Sequence, residues 1–133
     1  MTCLDTSFLI ELFHGSDNAK LKYEKLQNHM EQQDRLCTTI VNYYELTKSA
    51  VLTKDPERNL QLVHELLSEL TILQLDHVSV DTASKLYSSL AKKGRMIGEF
   101  DILIAAICIS NSEELVTNDA HFASVTNLIK QSY

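Results

Sequence analysis

Whether this chain is an α/β protein turns on residues 1–13, MTCLDTSFLIELF. Met1–Leu4 is a short apolar run. Asp5-Thr6-Ser7 interrupts it with residue types that favour caps and turns, and Phe8–Phe13 resumes the apolar character. This is the pattern of a strand feeding a helix, with Thr6 or Ser7 placed to cap it. The remaining sequence repeats the step.

Asp17 to about Gln33 reads as an amphipathic helix with Leu21, Leu26 and Met30 inward. Leu36–Thr39 reads as a strand and Val41–Leu52 as a helix. Asp55-Pro56-Glu57 marks a helix start, with Asp55 as N-cap and Pro56 in the first turn. Leu60, Val63, Leu66, Leu67 and Leu70 then keep the helical period. Thr71–Leu75 follows as a strand, Ser79–Lys93 as a helix ending at Gly94, and Glu99–Ser110 as a strongly apolar helix. Glu114–Thr117 is a strand, Asn118-Asp119 a turn, and a last strand is expected near Asn127–Ile129. Strands alternating with helices specify an α/β fold with a parallel sheet covered on both faces. In such sheets ligands bind beyond the carboxyl ends of the strands.

The 133 residues suit one domain, 1–133, and the 44% hydrophobic and 23% charged fractions are those of a soluble globular chain. One Pro and three Gly leave little room for a turn-rich sandwich. The longest apolar run, Ile102–Ile109, is too short to span a membrane. The absence of a basic segment ahead of the first apolar residues argues against a signal peptide. Cys3, Cys37 and Cys108 are odd in number and far apart in apolar settings, as expected of free thiols in the cytoplasm. A net charge of −6 is not that of a typical nucleic-acid binder, but acids gathered in one pocket and offset by cations would account for much of it.

The acids fall where the fold would use them. Asp5 follows the first strand, Asp119 follows the strand ending at Thr117, and Asp101 opens the apolar helix, so all three belong at the same rim. Each has a plain structural role available. Asp5 suits an N-cap and Asp119 a turn. Asp101 suits a helix first turn, where the dipole favours it by about 0.3–1 kcal/mol. Together they are harder to explain, because clustered carboxylates repel unless a cation or shared proton stabilises them. Glu45 by itself reads as a surface acid, with Asn42 and Ser49 on its polar stripe and Lys48 available as an i+3 partner. The five histidines show no zinc-protease spacing, and no nucleophile elbow, dinucleotide fingerprint or phosphate loop is present. Lys92-Lys93-Gly94-Arg95 reads as a solvated, dipole-favoured helix end. Ser7 stands where a dehalogenase-type phosphatase needs a second Asp, and a receiver domain would need an acidic pair beside Asp5.

Four segments in this order, LDTSFLIELF (4–13), NYYEL (42–46), GEFDILIAAI (98–107) and LVTNDAHF (115–122), resemble the motifs of the PIN-domain family, and specifically its VapC-type toxins. The resemblance covers almost the whole chain and implies a three-layer α/β/α fold with a short-stranded parallel sheet. It implies that Asp5, Glu45, Asp101 and Asp119 are the catalytic and metal-binding acids, replacing the surface reading of Glu45. Thr6, Ser7 and Thr117 match supporting hydroxyl positions, and Glu99 lies beside the third motif. The implied activity is Mg²⁺- or Mn²⁺-dependent endoribonuclease cleavage of RNA, with tRNA or rRNA as substrate classes. In it the metal activates water and neutralises transition-state charge. The implied partners are a VapB-type antitoxin and a second copy of the chain, in a homodimer. A non-toxin RNA-processing nuclease and a catalytically silent binding module are the alternatives.

Overall fold

The structure, a computed structural model, describes residues 1–29 and 35–133. Its strands are β1 (Thr2–Leu4), β2 (Leu36–Thr39), β3 (Thr71–Leu73), β4 (Glu114–Val116) and β5 (Lys130–Gln131). The helices are α1 (Thr6–Phe13), α2 (Asp17–His29), α3 (Ile40–Val51), α4 (Pro56–Ser68), α5 (His77–Lys92) and α6 (Glu99–Ser110), and a 3₁₀ turn covers Ala120–Ser124. Among the described residues the five strands form one sheet in the order β3-β2-β1-β4-β5, and every pairing is parallel.

Strand alternation divides the core into two layers. Cys3, Cys37 and Leu115 face one side and pack with Ile104, Ile107 and Cys108 of α6, and with Phe122 and Val125. Leu4, Leu36 and Val116 face the other side, against Phe8 and Leu9 of α1, Leu46 and Ala50 of α3, and Val63 and Leu67 of α4. The sheet is thus sandwiched between helices, a three-layer α/β/α arrangement. Leu90 of α5 closes against Ile102 and Ala106 on the outer side of α6, which explains why α6 is apolar nearly all round. The three cysteines are buried and free.

β1 lies at the centre, with the chain running outward to β2 and β3 on one side and to β4 and β5 on the other. The switch point of the sheet is therefore the gap between the carboxyl ends of β1 and β4, where open α/β sheets bind ligands.

Local boundaries depart from the sequence reading in instructive ways. The last strand is Lys130–Gln131, beyond Asn127–Ile129. The amides of Leu115 in β4 and of Thr117 just past it find the carbonyls of Ile129 and Gln131 at 2.9 and 3.0 Å, while Leu128 plugs the core instead of extending the ladder. β3 stops at Leu73, short of Leu75. Helix α5 starts at His77, ahead of Ser79, because Asp76 caps it in a reciprocal box with Ser79. Leu21 is exposed, and α2 instead turns Ala19, Tyr23 and Leu26 inward. Met30 and Gln33 lie outside the described residues. Gly94 ends α5 with φ +64°, where the Arg95 amide reaches back to the Leu90 carbonyl at 3.0 Å.

Candidate active site

Asp5 occupies the N-cap position of α1, but its side chain makes no cap hydrogen bond, and neither Thr6 nor Ser7 serves as the cap. The carboxylate is 4% exposed and turns inward to the gap between β1 and β4. There Oδ2 accepts from the Thr117 hydroxyl at 2.7 Å and from the Ser7 hydroxyl at 3.1 Å, and Oδ1 accepts from the Asn42 amide at 3.2 Å. Burial raises its pKa, the hydroxyl donors oppose the rise, and the charge of Asp119 adds to it.

Asn42 is the hub beneath Asp5, and it is fully buried rather than part of a solvent-facing stripe. As the third residue of α3 it forms a capping box with Thr39, accepting on Oδ1 from the Thr39 amide (3.2 Å) and hydroxyl (2.7 Å). Its amide nitrogen donates to Asp5 and to the Thr6 hydroxyl, the latter at 2.8 Å. All four hydrogen-bonding positions of the amide are thereby filled. Thr6 in turn donates to Glu45 Oε1 at 2.8 Å. Helix α3 therefore delivers two residues to the site one turn apart, and a single chain of hydrogen bonds, buried at its Asp5 end, fixes Glu45 relative to Asp5. Glu45 is half-buried, with its pKa raised first by burial and further by the charges of Asp5 and Asp101, against the Thr6 hydrogen bond and the charge of Lys48. Among the described residues Lys48 makes no ion pair with it; its ammonium lies over the Tyr44 and Phe100 rings.

Asp101 projects from the first turn of α6, with its pKa raised by burial and by Asp119, in part offset by His121. Asp119 caps the 3₁₀ turn, accepting from the His121 amide at 2.9 Å, and its own amide donates to Thr117 Oγ1 at 3.0 Å. Thr117 thus ties Asp119 to Asp5. His121 Nδ1 bridges Asp101 and Asp119, 3.3 Å from an oxygen of each. One ligand atom from each of these three residues lies within 4.8 Å of the others.

The four acids named from sequence are thus brought together, with Thr6, Ser7 and Thr117 hydrogen-bonded to them. Glu99 is exposed, and among the described residues no hydrogen bond or ion pair joins it to the group. Two contributors escaped the sequence reading. Asn42 carried a signal, since Thr-x-x-Asn at a strand-to-helix junction is a capping-box spacing. His121 carries no such signal, since its spacing from the other histidines is not that of a zinc protease, and only the 3₁₀ turn brings it back over Asp119.

Three of the four carboxyls hold their protons more tightly than solvated acids, and each is raised partly by another member of the group. A divalent cation would relieve both burial and repulsion, and carboxylate oxygens are the donors that Mg²⁺ and Mn²⁺ prefer. The residues present fit such an ion.

A carboxylate cluster at the switch point of a parallel sheet defines an α/β protein with an acidic, cation-accepting centre. Residues 2–128 match the PIN domain model, and the chain belongs to the PIN-domain family. Over 116 residues it is 30% identical to Ribonuclease VapC2 of Haemophilus influenzae (strain Rd), covering 87% of this chain and 84% of that protein. It is 31% identical over 87 residues to the tRNA(fMet)-specific endonuclease VapC of Shigella flexneri, covering 65% and 66%. The structure of VapBC-1 from nontypeable Haemophilus influenzae superposes with a TM-score of 0.90 at 26% identity, covering 98% of this chain and 96% of that one. No helix among the described residues is long and apolar enough to cross a membrane.

Proposed function

We propose that this protein is a divalent-metal-dependent endoribonuclease, acting in the cytoplasm as the toxin of a VapBC-type pair. The observation that carries the reading is the convergence of Asp5, Glu45, Asp101 and Asp119, from four separate segments, on the β1–β4 switch point. The ribonuclease and endonuclease names of the relatives support the same chemistry. Asp5, Asp101 and Asp119, with Glu45, would hold Mg²⁺ or Mn²⁺, which supplies a lowered pKa for water and positive charge beside the scissile phosphate. Thr117, Ser7 and Asn42 aim Asp5, and Thr6 aims Glu45. Glu45 keeps Oε2 clear of Thr6 and can orient the attacking water through it. His121 holds Asp101 and Asp119 together from the solvent side.

A VapB-type antitoxin is the proposed protein partner, in keeping with the VapBC assembly of the structural neighbour, and a homodimer is the proposed form of the chain. The test is incubation with total cellular RNA, with and without Mn²⁺, beside Asp101→Asn. Discrete metal-dependent fragments absent from the variant are expected. Equal cleavage by wild type and variant would overturn the assignment.

A further inference from the structure

The acids account for cutting RNA but offer nothing to grip it, since a polyanion is repelled by an acidic rim. Beside them stand two aromatic rings in solvent. Tyr44 precedes Glu45 on α3 and Phe100 precedes Asp101 on α6, so the backbone that delivers two of the acids also delivers the rings. They are 50% and 42% exposed. Their centroids lie 5.6 Å apart at an interplanar angle of 62°, an edge-on pair spanning the two helices. Lys48, one turn beyond Tyr44, holds its ammonium 5.4 Å from the Tyr44 centroid and 5.7 Å from that of Phe100.

A brace between α3 and α6 would bury its rings, as Phe8 and Phe122 are buried in the two core layers, whereas these keep roughly half their surface in water. The Lys48 ammonium rests on ring faces and, among the described residues, has no carboxylate within ion-pair distance. Aromatic faces beside a cation are what single-stranded nucleic acid requires, because bases stack on the rings and the backbone pairs with the charge.

We infer that Tyr44, Phe100 and Lys48 form a substrate-positioning platform for single-stranded RNA, one that stacks a base on the rings and holds an adjacent phosphate at Lys48. The inference rests on the ribonuclease reading and deepens it. Continuity with the acids sets the role of the platform, for a nucleotide held there places its neighbouring phosphodiester toward Glu45 and Asp101. Because every base has a stacking face, the platform selects unpaired strands over duplex and is tolerant of sequence.

The test uses the full chain in an Asp101→Asn background, with a short fluorescein-labelled single-stranded RNA of mixed sequence followed by anisotropy. Tyr44→Leu/Phe100→Leu is expected to bind about 10-fold more weakly or worse, with an unchanged thermal melt. Tyr44→Phe, which keeps the ring face, restores binding. Lys48→Gln lowers the salt dependence by about 0.7 in the log–log slope. On the otherwise wild-type chain, loss of the rings raises KM more than it lowers kcat, the signature of lost ground-state binding. Unchanged affinity in the ring variant would overturn the platform, as would an equal loss for duplex RNA. So would loss of self-association or of binding to a partner protein while RNA binding persists, which would make the rings a protein interface. A chain that cuts RNA normally without its rings refutes the platform alone. A wild-type chain that cuts no more than Asp101→Asn refutes the ribonuclease reading instead.

Discussion

Replacing Asn42 by Ala should damage the fold and the acid cluster together, in a proportion set by its hydrogen bonds. Removing the amide orphans the Thr39 N–H, which is fully buried and has Asn42 Oδ1 as its acceptor at 3.2 Å. It also takes a donor from the buried Asp5 carboxylate. Thr39 Oγ1 loses its acceptor but still accepts from the residue-42 backbone amide, a hydroxyl can reorient, and Thr6 keeps Glu45. An orphaned buried group costs about 1–3 kcal/mol, and a bond to a charged group is worth about 1.5–3 kcal/mol. Allowing for relaxation, about 3–4 kcal/mol is expected in total. At about 4 °C per kcal/mol for a chain of this size, the melting temperature should fall by ~12–16 °C. Because Asn42 orients Asp5 from behind, Mn²⁺ affinity should drop about 10–100-fold even where the protein stays folded. Differential scanning calorimetry and isothermal titration with Mn²⁺ read the two effects separately. Asn42→Asp is the companion, since it sets a second carboxylate against Asp5 Oδ1. Protonation relieves that repulsion, so this variant should recover more stability as pH falls than Asn42→Ala, which loses only a donor to Asp5. An Asn42→Ala protein melting within about 3 °C of wild type, with unaltered Mn²⁺ affinity, would refute the hub.

The raised pKa values of Asp5, Glu45 and Asp101 fix the sign of a pH effect. Their protonated forms are favoured by the folded state, so together they destabilise the metal-free protein as pH rises through the folded pKa values. The destabilisation is absent below the ordinary carboxylate values of 3.8 and 4.5. Melting curves of wild type and Asp101→Asn should therefore diverge on going from acid to neutral pH, with the variant the more stable at pH 7. Added Mn²⁺ should narrow that gap. Leu90→Ala, at a site 1% exposed between α5 and α6, should cost about 2–5 kcal/mol in urea denaturation and leave Mn²⁺ affinity untouched. Gly94→Ala meets no atom within 4 Å, so its cost is the left-handed backbone alone, about 1–2 kcal/mol, and Gly94→Asn should cost less.

Local chemistry was enough to specify much of this protein from its sequence. Asp55-Pro56 starts α4, Gly94 ends α5, and the all-round apolar run of α6 declares a helix buried between layers, because caps, breakers and hydrophobic period act within a few residues of the chain. Alternating strands and helices led to the parallel sheet, and the sheet to the rim where Asp5, Asp101 and Asp119 would meet. Tertiary structure decided what depends on partners distant in sequence. Leu128 could be a ladder residue or a core plug until β4 chose the carbonyls of Ile129 and Gln131. Asn42 and Glu45 share a polar stripe that looks equally fit for water, and only the packing of α3 against α1 and the sheet buries Asn42 and sets Thr6 against Glu45. His121 acquires its position over two carboxylates from a 3₁₀ turn that sequence spacing does not reveal. A side chain's type and local period state what it can bond to. Whether it bonds to water or to an acid across the sheet is set by desolvation, which exists only once the layers have closed.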